Sequence, residues 1–211
     1  MVKNDFNPIA PIYDFLVTLV FGDGLWKAQH HHLHRIDADD TVLILGGGSG
    51  NLLEWLPKCK VVYLEKAEKM VSRAQKRGHA EFIVSDFLEW ESEKKFDWVI
   101  CPFFLDCFTS EELDQALVKI QSGLKANGRL LVIDFQNKMR SQQFLIKSML
   151  LFFRLVAGLS ARELVDFRTN LPERGFALKE QRDFLNGLVF SDVYCKSTPD
   201  KSSHLRDHHL L

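Results

Sequence analysis

The sequence is short of most features that would remove a chain of this size from the ordinary globular class. Its four cysteines, Cys59, Cys101, Cys107 and Cys195, include no C-x-x-C pair, and no secretory signal is evident before them. They are expected to be reduced thiols in a cytoplasmic protein. Excess charge is missing too. A formal net charge of −1 gives no field to steer the protein onto a polyanion, which argues against a nucleic-acid partner. No apolar run is clean enough for a membrane. Residues 12–21 contain Asp14, follow Pro8 and Pro11, and lead into no small-residue cleavage site. Residues 144–159 are interrupted by Lys147 and Arg154 and are short for a span, so no stable membrane insertion is expected. Internal repeats and low-complexity stretches are absent.

What is present suits a soluble fold. A chain of 211 residues, 46% apolar and 26% charged, can bury a core without disulfides or metal. It is expected to form one domain over residues 1–196, followed by a polar tail at 197–211. The 17 phenylalanines imply a bulky core, or an apolar pocket larger than packing needs.

Strand and helix signals alternate along the chain. Two helices are predicted over 8–21 and 23–36, broken at Gly22-Asp23-Gly24. Compact β-rich runs follow at 41–45, 60–64, 81–84, 96–100 and 129–135, the last entered through Asn127-Gly128. Helices are expected between them at about 50–57, 67–77 and from Thr109 to about Ser122. Thr109 with Glu112 forms a capping box. Strands separated by helix-length segments imply parallel βαβ units, hence a Rossmann-like, doubly wound α/β sheet. Further on, 141–157 reads as an apolar helix. Ser160 with Glu163 is a second capping box, for a helix reaching about Leu171. Residues 176–185 and 188–196 then form two strands joined by Asn186-Gly187, a hairpin signal.

The strongest chemical signal is the run 42–53, a buried strand leading into Gly46-Gly47-Gly48-Ser49-Gly50 and then a helix start. Alternating glycines let the backbone turn sharply and approach a ligand, which the helix start meets with free N–H groups. The spacing is G-x-G-x-G. A dinucleotide fingerprint needs glycine where Asn51 stands, and a phosphate-binding loop needs a Gly-Lys-Ser/Thr ending. Glu65 closes the second strand, where its two oxygens match the two hydroxyls of a ribose; otherwise it caps the next helix. Asp86 follows the third strand and could accept from an adenine amine with Phe87 against the base, or could simply close an Asx turn. All three features fall at carboxyl ends of strands, the edge where open α/β sheets bind ligands.

In that order and spacing, these stretches resemble the class I S-adenosylmethionine (SAM)-dependent methyltransferases over about residues 40–135. Residues 96–102 are similar to that family's fourth strand, and 124–132 to the approach to its fifth. The resemblance implies a mostly parallel seven-stranded sheet with a C-terminal antiparallel hairpin. It implies SAM as cofactor and S-adenosyl-L-homocysteine (SAH) as product. It carries the cofactor contacts to Gly46, Gly47, Gly48, Gly50, Glu65, Lys66, Met70, Asp86, Phe87 and Cys101. Residues 9–14 resemble the A-x-x-Y-D opening of ubiquinone/menaquinone-type methyltransferases, which makes Tyr13 a candidate cap on the cofactor.

Methyl transfer from a sulfonium is an in-line displacement with a good leaving group. The protein mainly has to align the reactants and exclude water, and no catalytic triad is needed. Adenine-N6 and glutamine methyltransferases carry Asn or Asp before Pro-Pro-aromatic after the fourth strand. Here the stretch is Cys101-Pro102-Phe103-Phe104, which discounts those targets. Pro102, Phe103 and Phe104 are instead expected to form an apolar wall for a small, apolar or aromatic methyl acceptor. Asp106 is the nearest acid, a possible base or a helix-start charge, and Tyr13 is the other catalytic candidate. The helix at 141–157 could line the pocket, bury a homodimer interface or cover the sheet, with packing favoured. His30 and His34 fall one helical turn apart, but no third ligand of suitable spacing appears, so no metal is expected. A non-catalytic SAM-binding scaffold is the alternative function. A nicotinamide oxidoreductase is disfavoured by Asn51 and by the absence of a Tyr-x-x-x-Lys pair.

Overall fold

The computed structural model of the chain describes residues 6–136, 142–158 and 165–197. They build one seven-stranded sheet. Its strands are β1 (Thr41–Leu45), β2 (Lys60–Glu65), β3 (Glu81–Val84), β4 (Phe96–Pro102), β5 (Leu124–Phe135), β6 (Phe176–Phe184) and β7 (Val189–Lys196), in the order β3-β2-β1-β4-β5-β7-β6. The first five run parallel, while β7 is antiparallel to both β5 and β6. This is the Rossmann-like class I methyltransferase architecture, including the terminal hairpin.

β1 shows why the central strands read as unbroken apolar runs. Both faces of the sheet are covered, so neither face needs polar residues. Val42 and Ile44 pack on one side with Leu25, Ala28, Leu33 and Leu52. Leu43 and Leu45 pack on the other with Leu113, Ala116, Leu117 and Ile120. Those last four lie along α4 (Ser110–Gly123) at helical spacing. The helix starts at the expected capping box, with Thr109 Oγ1 accepting from the Glu112 N–H and Glu112 Oε2 accepting from the Thr109 N–H.

The N-terminal helices are shorter than the sequence pattern suggests. They are α1 (Tyr13–Phe21) and α2 (Gly24–His30), separated at Gly22, whose φ of 55° a side chain would oppose. The helix expected at 50–57 is instead a 3-10 turn, Asn51–Trp55. Gly50 enters it in a left-handed conformation, and Leu56 must be extended ahead of Pro57, which leaves too few residues for a regular helix. α3 (Glu68–Ala74) ends sooner than expected and continues to Arg77 only as turns. β5 begins at Leu124 rather than after Asn127-Gly128. The glycine turn is absorbed as an irregularity between the Phe96–Leu124 and Trp98–Arg129 pairs.

α5 (Gln142–Ala157) occupies the expected place. The Ser160–Glu163 capping box lies outside the described residues. The helix expected to run through from there starts only at Phe167: α6 (Phe167–Glu173) is capped by Asp166, which accepts from the Thr169 N–H. Its Arg168 holds the buried Asp192 of β7 through Nε and Nη2, at 2.6 and 2.8 Å, pinning the helix to the hairpin. In the hairpin bend, Leu185, Asn186 and Gly187 all take positive φ. Among the described residues, no helix is long and apolar enough to cross a membrane.

Candidate functional site

A cleft holding about 920 Å³ of empty space, partly open to solvent, lies at the carboxyl ends of β1 to β4. Its floor is the glycine loop. Gly48 adopts φ +62°, and a Cβ there would meet nothing within 4 Å, so the loop leaves room for a ligand against its backbone. The neighbouring strand holds the loop in place. The Tyr63 hydroxyl of β2 donates to the Gly48 carbonyl at 2.9 Å, and Glu65 Oε2 accepts from the Gly48 N–H at 3.1 Å. Sequence reasoning passed over Tyr63, an apparently ordinary strand residue; the polar atom on an otherwise apolar run was the available signal.

Glu65 is 8% exposed, and its Oε1 accepts from the Ala67 N–H at 2.8 Å. Burial pushes its carboxyl up, against the pull of the backbone donors. Each oxygen keeps a lone pair for a further donor. Across the adjacent strand end, Asp86 Oδ2 lies 2.8 Å from Lys66 Nζ, and its Oδ1 accepts from the Leu88 N–H. Asp86 therefore does close a turn, and it lines the cleft as well. Met70 and Phe87 complete this end.

The rest of the wall is aromatic. Phe103 and Phe104 follow β4, with Phe103 at φ +53°, and join Tyr13 of α1 and Trp26 of α2 on the wall. Tyr13 also touches Phe6 and Phe153, so α5 reaches the rim of the site through Phe153. Leu151, Phe152 and Leu155 of the same helix are exposed. Burial pushes the Tyr13 hydroxyl well above the ordinary phenol range, reinforced by negative charge around Cys107, Asp106, Glu65 and Asp14. Tyr13 is a neutral phenol at pH 7, able to hydrogen-bond but ill suited to act as a base.

Three of the sequence candidates do not reach the wall: Gly50, Cys101 and Asp106. Gly50 serves packing. A Cβ there would lie 2.6 Å from the Ala74 Cα of α3. Cys101 is fully buried among the apolar residues beneath the site, where burial, then the charge of Asp134, push its thiol up. Asp106 forms a buried carboxyl pair with Asp134 of β5. Its N–H donates to Asp134 Oδ2 at 3.2 Å, and Cys107, which does line the cleft, donates its thiol proton to Asp106 Oδ1 at 3.5 Å. Burial raises Asp106 to about 6 and Asp134 well above the carboxylate range, so the pair favours keeping a proton far more than a free aspartate does. Asp134 was missed because one Asp in a strand carries no pattern.

The N-terminal segment is tied down from beneath. Asp14 Oδ1 accepts from Ser49 Oγ at 2.5 Å, and Oδ2 from Arg73 and Arg77 at 2.8 and 2.7 Å. The histidines that follow are engaged one by one. His30 stacks on Trp55, His32 Nε2 lies 3.1 Å from the Ser191 carbonyl oxygen, and His34 Nδ1 lies 2.9 Å from that of His31. α2 stops at His30, so His30 and His34 share no helix. Among the described residues no three side chains are grouped to hold a metal ion.

Comparison with known proteins agrees with this geometry. Residues 42–128 match the family model described as a methyltransferase domain. The chain is 30% identical over 150 residues to the ubiquinone/menaquinone biosynthesis C-methyltransferase UbiE of Blochmanniella pennsylvanica, a match covering 64% of this chain and 58% of that protein. The chain thus spans less than two thirds of that relative's length. Among solved structures, the complex between the Haloferax volcanii Trm112 methyltransferase activator and the putative methyltransferase matches with a TM-score of 0.72 at 16% identity. That match covers 94% of this chain and 100% of the other. The DhpI–SAH complex matches with a TM-score of 0.67 at 14% identity, over 92% and 94% of the two chains.

Proposed function

Starting from a chain with the fold of the class I SAM-dependent methyltransferases, we propose that it binds SAM across the ends of β1 to β3 and transfers the methyl group to a small apolar or aromatic acceptor. The observation that carries this reading is one cleft that joins Glu65 and Asp86, beside an open glycine loop, to a wall of aromatic side chains. The residues fit the cofactor. Glu65 offers carboxylate oxygens to the ribose hydroxyls, Asp86 and Phe87 face the adenine, and the backbone of Gly46 to Gly48 leaves space for the methionyl chain. Tyr13 covers the site from α1.

When bound, SAM supplies an activated methyl on a sulfonium, so the chemistry asks little of the protein beyond alignment and dryness. Phe103, Phe104, Trp26 and Tyr13 provide both, enclosing the acceptor in an apolar wall. The Asp106–Asp134 pair sits behind Cys107 and steadies the segment that carries Phe103 and Phe104. A relative named for C-methylation in ubiquinone/menaquinone biosynthesis is in keeping with such an acceptor.

Calorimetry with SAM, SAH and NAD tests the cofactor assignment. Saturable heats with the first two and none with NAD are expected; binding of NAD alone would overturn it. Consumption of SAM across a panel of phenols and other ring acceptors then separates an enzyme from a scaffold that binds without turnover.

A further inference from the structure

We propose that Gln29 is the specificity-determining contact for the methyl acceptor, its amide reading one oxygen of an uncharged, flat ring seated between α2 and the segment after β4. This rests on the methyl-transfer reading above.

Gln29 is 9% exposed, lines the cleft, and its side chain makes no hydrogen bond with any described residue. Its polar atoms are not sealed off, as those of His30 Nε2 and Ser191 Oγ are, so the amide opens onto the cleft. An amide that reaches only the cleft exchanges its water for a ligand atom that pairs with it, and is left without a hydrogen bond by a ligand that offers none.

The place of α2 sets Gln29 away from β2 and β3, on the side proposed for the acceptor. α2 packs on the turn Asn51–Trp55 that follows the glycine loop and on β6 and β7, where the residues just after it are fixed by His32 against Ser191 of β7. That is the far edge of the sheet from β2 and β3, which carry the adenosine contacts. Trp26 lies three residues earlier on the same helical face and also lines the cleft, so ring and amide are presented together.

The surroundings define the chemistry. Tyr13, Trp26, Phe103 and Cys107 carry no formal charge themselves, the carboxyls near them are Asp106 behind Cys107, Glu65 and Asp14, and Lys66, the cation lining the cleft, is held by Asp86. A phosphate or carboxylate group would find no counter-charge here. A hydroxyl or carbonyl suits Gln29, which can both donate and accept.

The test uses the full chain saturated with SAH, with 2-naphthol as probe and 2-methylnaphthalene as its counterpart lacking the oxygen. The wild type should bind 2-naphthol tighter by about tenfold or more. Gln29→Leu, and Gln29→Met as a nearly isosteric second variant, should erase that preference while SAH affinity stays within about twofold. Equal binding of the two probes by the wild type, or a preference kept in both variants, would overturn the proposal. Weakened SAH binding in both variants would also overturn it, by assigning Gln29 to the methionyl chain. A wild type that does not take SAH at all would instead defeat the proposed function, and this inference with it.

Discussion

Asp14 and Ser49 are joined by a 2.5 Å hydrogen bond that ties the first turn of α1 to the glycine loop. The same carboxylate gathers Arg73 and Arg77 from α3 and beyond. One side chain thereby fixes the cap, the loop and the helix behind it, and sets the position of its neighbour Tyr13. Burial opposes its ionisation. The Ser49 hydroxyl and the two guanidinium groups outweigh burial and hold the carboxyl below its usual range.

Asp14→Ala is therefore expected to cost about 1–3 kcal/mol in urea unfolding, because Arg73 and Arg77, both partly buried, lose the carboxylate they share, Arg77 keeping, among the described residues, only Glu54 at 3.7 Å. SAH affinity should fall as well, through the loosened loop. Because the folded carboxyl titrates lower than the unfolded one, its contribution is complete above the ordinary carboxylate range and drains as pH falls through the lowered value. Asp14→Asn should flatten that acid limb; an unaltered limb would show that the cluster does not act through this charge.

Gly48 and Gly50 should part company on substitution by alanine. Both have positive φ, but only at Gly50 does a Cβ strike backbone, 2.6 Å from the Ala74 Cα. Gly48→Ala should cost about 1–2 kcal/mol of stability from backbone strain, with a larger proportional loss of SAH binding. Gly50→Ala should be the more destabilising, read as the lower melting temperature. The reverse ranking would show that the loop's packing is misassigned.

Glu65→Gln keeps shape and removes charge. SAH binding should weaken about 10–100-fold by calorimetry, the range for losing a charged acceptor to paired hydroxyls. Since burial raises this carboxyl, wild-type affinity should begin to fall on the acid side at a higher pH than a free glutamate would dictate. Unchanged affinity in the variant would remove Glu65 from the ribose site.

The Asp106–Asp134 pair predicts the opposite pH trend from Asp14. Both carboxyls titrate above their unfolded values, so the folded state holds the extra proton. Stability should fall as pH rises from the ordinary carboxylate range through about 6 and beyond, by on the order of 1–3 kcal/mol. Asp134→Asn should shrink that decline and abolish a protonated-carboxyl infrared band present in the wild type at neutral pH. If the band survives in the variant, the proton does not reside in the pair.

The strands were legible because both-face burial writes them as short apolar runs. The glycine loop was legible because its geometry admits few residues. The 3-10 turn at Asn51–Trp55 was misread as a helix because its constraints, a left-handed Gly50 and an extended Leu56, arise from backbone conformation rather than periodicity. The late start of α6 depended on which of several acceptors near 160–166 caps it. At the site, Glu65 and Asp86 stood out by position at strand ends. Gln29, Trp26 and Asp134 did not, since what brings them to the cleft or beneath it is the packing of α2 on the hairpin and of β5 beside β4. Cys101 and Gly50 belonged to recognisable stretches, yet their side-chain positions point into packing rather than into the cleft.

The order of the sheet sets a timetable for synthesis. β5 acquires its second neighbour only from β7, the last strand in chain order among the described residues, and α2 rests on the same hairpin. A chain made only as far as β5 has thus produced every strand proposed to carry an adenosine contact, but with one border of the ribbon bare and α2 lacking part of its berth. Docking of β6 and β7 closes both at once, so a chaperone able to shield that border has its longest opportunity before the hairpin forms.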